Sequence, residues 1–290
     1  MFKIIVTGAG GFIGRNVKNA LAENYETVNV DFFENLLDPF DFISNYENFV
    51  NRGDVIVHNG ACSSTTATDP FLVNKLNFDY SVELLKKCIK NKNRLIYASS
   101  ASVYGDGPFH EKAYKKAKNL YALSKSMFDD YSMQFIDYIP QVVGLRYFNV
   151  YGPHENKKED MASVVYKFYN QVKNHNKIVL FKNSDKYLRD FVHVEDIIEI
   201  TKFFIDNPTH NGIYNCGIGR ENSFQDIADI FVEKYNCDVQ YIDMPQKLIG
   251  KYQEFTRSDN NKIDKIYKSD RIDLRKGVLK YIEYLEKLWK

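Results

Sequence analysis

The stretch Phe2-Lys3-Ile4-Ile5-Val6-Thr7-Gly8-Ala9-Gly10-Gly11-Phe12-Ile13-Gly14 decides how this chain folds. Its first six residues, FKIIVT, are a short run rich in β-branched side chains. A glycine cluster breaks the run, and over residues 12–21 apolar side chains recur at helical intervals. The stretch therefore reads strand, turn, helix. Gly8, Gly11 and Gly14 stand three residues apart, and each has a physical task. The first permits a tight turn, the second lets backbone approach a pyrophosphate at the helix N-terminus, and the third lets helix and strand pack closely. A second strand at residues 27–31 (TVNVD) puts Asp31 20 residues beyond Gly11, where its carboxylate can accept hydrogen bonds from adenosine ribose hydroxyls. Strand, turn, helix and acid together predict a dinucleotide site. Asp31 repels a 2′-phosphate, and residues 32–40 contain no Lys or Arg to neutralise one, so of NAD and NADP the sequence favours NAD. Arg52 is the nearest following cation that could reverse that preference.

Outward from this unit, apolar runs fall at residues 54–58 (DVIVH), 94–98 (RLIYA) and 141–146 (QVVGLR), with helical stripes between them at Leu84, Leu85, Cys88 and Ile89 and over residues 121–135. Strands alternating with helices predict an α/β fold: a Rossmann-type, doubly wound parallel sheet with helices on both faces. After about Tyr151 the alternation becomes irregular. A helix is expected over 162–172, a strand over 178–181, a strand turning into a helix over 190–206, a capping box at Ser223-x-x-Asp226 and a closing amphipathic helix over 273–290. This pattern predicts a dinucleotide-binding domain of residues 1–150 plus about 189–215. A smaller α/β substrate domain would take about 151–188 plus 216–290.

Composition narrows the partners. The 290 residues are 44% hydrophobic and 27% charged with few Gly (15) and Pro (7), an ordinary globular balance. Lys plus Arg (39) nearly cancels Asp plus Glu (38), leaving no basic field to draw nucleic acid. No apolar run exceeds four residues, whereas a membrane helix needs about 20, so a cytoplasmic protein is expected. Cys62, Cys88, Cys216 and Cys237 are widely scattered, which favours buried free thiols over disulfides or a metal site.

Tyr121-Ala122-Leu123-Ser124-Lys125 sets a phenol and an ammonium at i and i+4 on one helix face. A free Tyr titrates near 10, so accepting a proton near neutrality requires about 3 units of help. The Lys cation and an oxidised nicotinamide push in that direction. Tyr and Lys at this spacing occur by chance, but here they follow the strand-end pair Ser99-Ser100 by about 20 residues. Ser100 would hydrogen-bond the same substrate hydroxyl at the sheet edge where ligands gather.

The glycine turn, Ser100-Ala101-Ser102-Val103-Tyr104-Gly105 and the Tyr121/Lys125 pair together resemble the extended short-chain dehydrogenase/reductase family, whose members mostly act on nucleotide sugars. The resemblance spans most of the chain. The strings GACSSTT (60–66), RYFNVYGP (146–153), MASV (161–164), RDFV (189–192) and YQEFT (252–256) are similar to the branch that inverts C6″ of an ADP-heptose. That resemblance implies tightly bound NAD or NADP, no metal, a homo-oligomer, transient oxidation at C6″ and re-reduction from the other face. Two proton-handling groups follow from it, Tyr121 and Lys158, with Lys157 the rival for the second place. It further implies cofactor contacts from Gly8, Gly11, Phe12, Ile13, Gly14, Asp31, Phe32, Asn59, Gly60, Ala61, Cys62, Ser63, Asn77, Lys125 and Val150. Substrate contacts are implied for Asn149, Asp160, Lys167, Phe181, Lys182, Asn183, Ser184, Arg189 and Tyr252. Arg189, with bidentate donors, suits the diphosphate unless Asp190 or Asp185 pairs with it.

The chain also departs from that branch. Only 27 residues separate Asp31 from Asn59, and the lysines that approach a 2′-phosphate there have no counterpart. Glu159-Asp160 replaces Gly-Ser before MAS, and His154 replaces an Arg. A GDP- or UDP-sugar substrate, or a catalytically silent dinucleotide sensor, are the competing readings. A 4,6-dehydratase needs an acidic pair directly after the catalytic hydroxyl residue, and Ser100 is followed by Ala101 and Ser102.

Overall fold

The first strand, β1 (Ile4–Thr7), runs between β2 (Thr27–Val30) and β3 (Val55–His58), and β4 (Arg94–Ser100) and β5 (Gln141–Tyr147) continue the sheet beyond β3. Three short strands, β6 (Asn149–Tyr151), β8 (Leu188–Arg189) and β9 (Phe191–His193), and the longer β7 (Lys177–Phe181) lie outside it. β10 (Gly212–Cys216) then returns to pair with β5. The sheet is parallel throughout, in the order β2-β1-β3-β4-β5-β10. The chain leaves β1 for one edge and comes back to β3 on its other side. Ligands of open α/β sheets gather at the carboxyl ends of strands where the order reverses in this way. The computed structural model describes residues 2–33, 35–246 and 253–288.

The helices are α1 (Phe12–Ala22), α2 (Pro39–Ser44), α3 (Tyr46–Phe49), α4 (Pro70–Asn74), α5 (Tyr80–Asn91), α6 (Leu120–Met133), α7 (Val164–His175), α8 (Val194–Asp206), α9 (Phe224–Tyr235) and α10 (Leu274–Leu288). Because strand side chains alternate, the sheet feeds two cores. Ile4, Val6, Val57, Ile96 and Val143 meet Val17 and Leu21 of α1 and Ile197, Ile200 and Phe204 of α8. Ile5, Ile56, Leu95 and Val142 meet Leu84, Leu85 and Cys88 of α5 and Phe128 of α6. Each such side chain contributes about 1.5–3 kcal/mol on burial, so both faces must be covered, as the unbroken apolar strands require.

A third core gathers Phe168 and Val172 of α7, Ile178 and Leu180 of β7, Phe231 of α9, and Val278, Tyr281 and Ile282 of α10. Around it β6 pairs with β9, β8 with β11 (Asn222–Ser223), and β7 with β12 (Asp238–Ile242). The expected capping box is present: the Ser223 hydroxyl accepts from Asp226 N at 3.0 Å, and the Asp226 carboxylate accepts from Ser223 N at 2.6 Å. α7 starts at Val164 rather than 162, because the Ser163 hydroxyl caps it by accepting from Tyr166 N at 3.3 Å. No helix among the described residues is long and apolar enough to cross a membrane, and all four cysteines are free.

Candidate active site

The glycine turn closes tightly on its own backbone. Gly8 has φ +72°, and a Cβ there would lie 2.5 Å from Gly60 N, so the loops after β1 and β3 touch only because Gly8 lacks a side chain. At Gly14 a Cβ would stand 2.0 Å from the Gly8 carbonyl oxygen, whereas at Gly11 the nearest atom is 3.4 Å away. α1 begins at Phe12 with Gly11 as N-cap, no side-chain cap and no acid in the first turn. Its first N–H groups and the positive end of its dipole are thus available to a phosphate. Asp31, at the end of β2 and largely buried, accepts from Gly10 N at 2.9 Å and from Phe33 N at 3.3 Å. Phe32 beside it is exposed. The tight cradle, uncapped helix end and anchored acid fit a dinucleotide.

Beneath the turn, residues 59–63 are held by Asn77. Its Oδ1 accepts from Cys62 N at 2.7 Å, and its Nδ2 donates to Cys62 O and to the Ser124 hydroxyl, each at 3.0 Å. Asn77 sits in a π-helical turn, Lys75–Asp79, a distortion frequent at functional sites. It ties the cradle to the helix that carries Lys125. Buried His58 lies below: Ser81 gives its only proton to Asn77 O at 2.6 Å, so it accepts from His58 Nε2, and His58 Nδ1 accepts from Thr7 Oγ1 at 2.6 Å. Burial, with the nearby Lys125 charge, pushes His58 down to about 3, so the imidazole is a neutral strut. The Asn59 Nδ2 in this cradle is buried with no partner among the described residues.

Ser100 ends β4, where its hydroxyl accepts from Ser102 N at 3.2 Å and Ser102 Oγ lies 2.9 Å away. Tyr121 and Lys125 lie one turn apart on α6, as expected, with Lys125 Nζ 6.0 Å from the Tyr121 ring centre. Lys125 is buried and donates to Ala98 O at 2.8 Å. Burial lowers it to about 8, and Asp129, one turn further along α6, opposes that fall. Burial raises the Tyr121 phenol above its ordinary value, while hydrogen bonding with Ser100 works the other way. Asp129 is itself held by Arg146 Nε at 2.8 Å and by the Tyr97 hydroxyl at 3.0 Å, and Arg146 also donates to Tyr104 at 2.8 Å.

After β6 the chain makes a 3-10 turn, Glu155–Lys157, then a second, Glu159–Met161. Lys158, between them, is half-buried, and its Nζ lies 4.8 Å from the centre of the Phe12 ring. Lys157 is exposed, so the two candidate lysines face different surroundings. Burial lowers Lys158, and the Glu155 charge opposes that. Met161 meets Thr65, joining this segment to the loop after Cys62. Exposed Lys167 donates to Asp160 O at 2.7 Å.

The remaining expected substrate residues cluster around β6 to β9. Asn149 and Val150 form β6, with Asn149 N donating to Asp190 O at 3.0 Å. Arg189 is buried and donates to Leu188 O at 2.9 Å and to Gln253 O, so its guanidinium ties down the segment beside Tyr252, which lies outside the described residues. Asp190 accepts from the backbone N–H groups of Ile218, Gly219 and Ser258 at 2.8–2.9 Å. Phe181 ends β7, Lys182 pairs with Asp243 at 2.9 Å, Asn183 takes a left-handed conformation, and buried Ser184 donates to Gln225 at 3.2 Å. Gln253 donates to Gly105 O, bringing this region against the loop after Ser100. Sequence reasoning missed Asp129 and Glu155. The i, i+4 spacing from Lys125 could have found the first, while nothing in its local pattern marks the second.

The sequence model of the NAD dependent epimerase/dehydratase family matches residues 4–217. The chain belongs to this family. A family relative, the ADP-L-glycero-D-manno-heptose-6-epimerase of Brachyspira hyodysenteriae, is 40% identical over 98% of both chains. Among solved structures, the ADP-L-glycero-D-manno-heptose-6-epimerase of Helicobacter pylori superposes with a TM-score of 0.89, at 28% identity, over 98% of this chain and 96% of that one. The UDP-N-acetylglucosamine 4-epimerase of Methanobrevibacter ruminantium M1 shares the fold at a TM-score of 0.88 and 23% identity, over 99% of each. The doubly wound α/β fold expected from the glycine turn is thus found in the strand order and in these epimerase structures alike.

Proposed function

We propose that this chain inverts C6″ of an ADP-heptose, using tightly bound NAD in preference to NADP. What supports the reading is where the two side chains assigned to proton handling lie. Tyr121 comes from α6 beside Ser100, and Lys158 comes from the turn after β6 and lies over Phe12 of the glycine turn. The 40% identity with the B. hyodysenteriae epimerase over nearly the whole chain supports the same substrate.

Gly8, Gly11, Phe12, Ile13 and Gly14 hold the pyrophosphate, Asp31 the ribose hydroxyls, and residues 59–63 with Val150 the remainder of the dinucleotide. When bound, the nicotinamide supplies reversible two-electron oxidation of the sugar carbon. Inverting a secondary alcohol puts its oxygen in two places, so one positioned base cannot serve both configurations. Tyr121 handles the hydroxyl proton in one, with Ser100 hydrogen-bonding the oxygen, and Lys158 handles it in the other. Asn149, Asp160, Lys167, residues 181–184, Arg189 and Tyr252 hold the rest of the nucleotide sugar. The dinucleotide-binding part is assigned residues 1–150 and about 189–215, and the substrate part the rest. Preference for NAD rests on Asp31 and on residues 32–40, which offer no cation.

Tyr121→Phe and Lys158→Met should each slow epimerisation about 10²-fold or more, with dinucleotide affinity, read by equilibrium binding, kept. A wild-type rate in either variant removes that residue from the mechanism.

A further inference from the structure

We infer that Glu155 is a positioning residue that sets the proton content of Lys158, an inference that rests on Lys158 being the second proton-handling group. Glu155 is fully buried although it is a carboxylate. One oxygen, Oε2, accepts from Ser163 N at 3.1 Å and from the Ser163 hydroxyl at 2.6 Å. The other, Oε1, is buried with no hydrogen-bond partner among the described residues. Capping α7 through Ser163 needs only the first oxygen, so the second is an acceptor that no described residue uses. Such a group costs stability, so its presence calls for a role beyond the cap.

Glu155 and Lys158 occupy the same turn, closed by Lys158 N donating to Glu155 O at 2.9 Å, and each feels the charge of the other. The titratable groups facing Glu155 are Lys158 on its own turn, Lys167 on α7 and Tyr281 on α10. Those facing Lys158 are Glu155 and Lys167. Burial holds the Glu155 carboxyl up at about 7, so it changes charge near neutrality. Ionised, it favours the Lys158 ammonium; protonated, it favours the amine. A base that must also act as an acid in the reverse direction gains from a neighbour that keeps both forms within reach.

The test is the pH–rate profile of ADP-heptose epimerisation by the holoenzyme of wild type, Glu155→Gln and Lys158→Met. Gln keeps an acceptor for Ser163 and removes the charge, so the limb set by Lys158 should move about one unit to lower pH. A role confined to capping α7 would lower the melting temperature without moving that limb. Coincident profiles for wild type and Glu155→Gln, with Lys158→Met inactive, overturn the inference and leave the Lys158 reading intact. A wild-type rate in Lys158→Met overturns both. Should Glu155→Gln fail to fold, Ser163→Ala deletes the 2.6 Å donor to the ionised carboxylate. It should move the limb the same way by a smaller amount, and an unmoved limb overturns the inference.

Discussion

Gly14 and Gly11 lie three residues apart in one turn and are glycines for different reasons. A Cβ at Gly14 meets the Gly8 carbonyl at 2.0 Å, while one at Gly11 meets nothing nearer than 3.4 Å. Gly14→Ala should therefore destabilise the fold by about 1–3 kcal/mol, seen as a lower melting temperature. Gly11→Ala should melt with the wild type, and the proposed pyrophosphate contact of this turn predicts that it loses dinucleotide affinity. Equal melting temperatures for the two variants would contradict this division. Positions that depend on local spacing were legible in the sequence: the three glycines, Asp31, Ser100 and the Tyr121–Lys125 pair fall where the strand, turn and helix pattern puts them. Roles created by burial were not. The neutral state of His58 and the orphaned oxygen of Glu155 follow from burial, and the Asp129–Arg146 pair joins a helix to a strand beyond any local spacing. Arg189 donates to the carbonyls of Leu188 and Gln253, contacts that its bidentate chemistry alone does not announce.

At the scale of elements, signals written into contiguous residues translated directly into structure. The Ser223-x-x-Asp226 capping box starts α9 where the spacing puts it. Ser223→Ala should cost about 1 kcal/mol, measured as a lower denaturant midpoint, with dinucleotide binding unchanged since the cap lies away from the glycine turn. No loss of stability would mean that packing of Ile227 and Phe231 in the third core alone fixes α9. β10 was not legible as a strand. Its five residues are all buried, yet Asn215 interrupts the apolar pattern, and that side chain is satisfied by Phe109 O at 2.8 Å, Asp259 O at 3.1 Å and the Tyr104 hydroxyl at 2.6 Å. Its partner β5 also lies some 65 residues upstream, beyond any local pattern. The short reach from Asp31 to Asn59 was legible as a departure. The structure fills it with α2 and α3, whose Phe42 and Tyr46 pack into the second core.

Across the whole molecule, the site exists only where separate stretches are held in register. Gly8 against Gly60, Cys62 against Asn77, Thr65 against Met161 and Gly105 against Gln253 join the sheet end to the segments after β6 and β12. Asp190 pins the same region through three backbone amides. We propose that this assembly inverts one carbon of one class of nucleotide sugar. The most direct measurement incubates the purified protein with ADP-D-glycero-D-manno-heptose, and in parallel with its GDP analogue, in the presence of NAD or NADP, and follows the C6″ configuration by NMR. The expected result is L-glycero product from the ADP sugar, formed best with NAD. Protein that binds dinucleotide yet inverts neither sugar would contradict it.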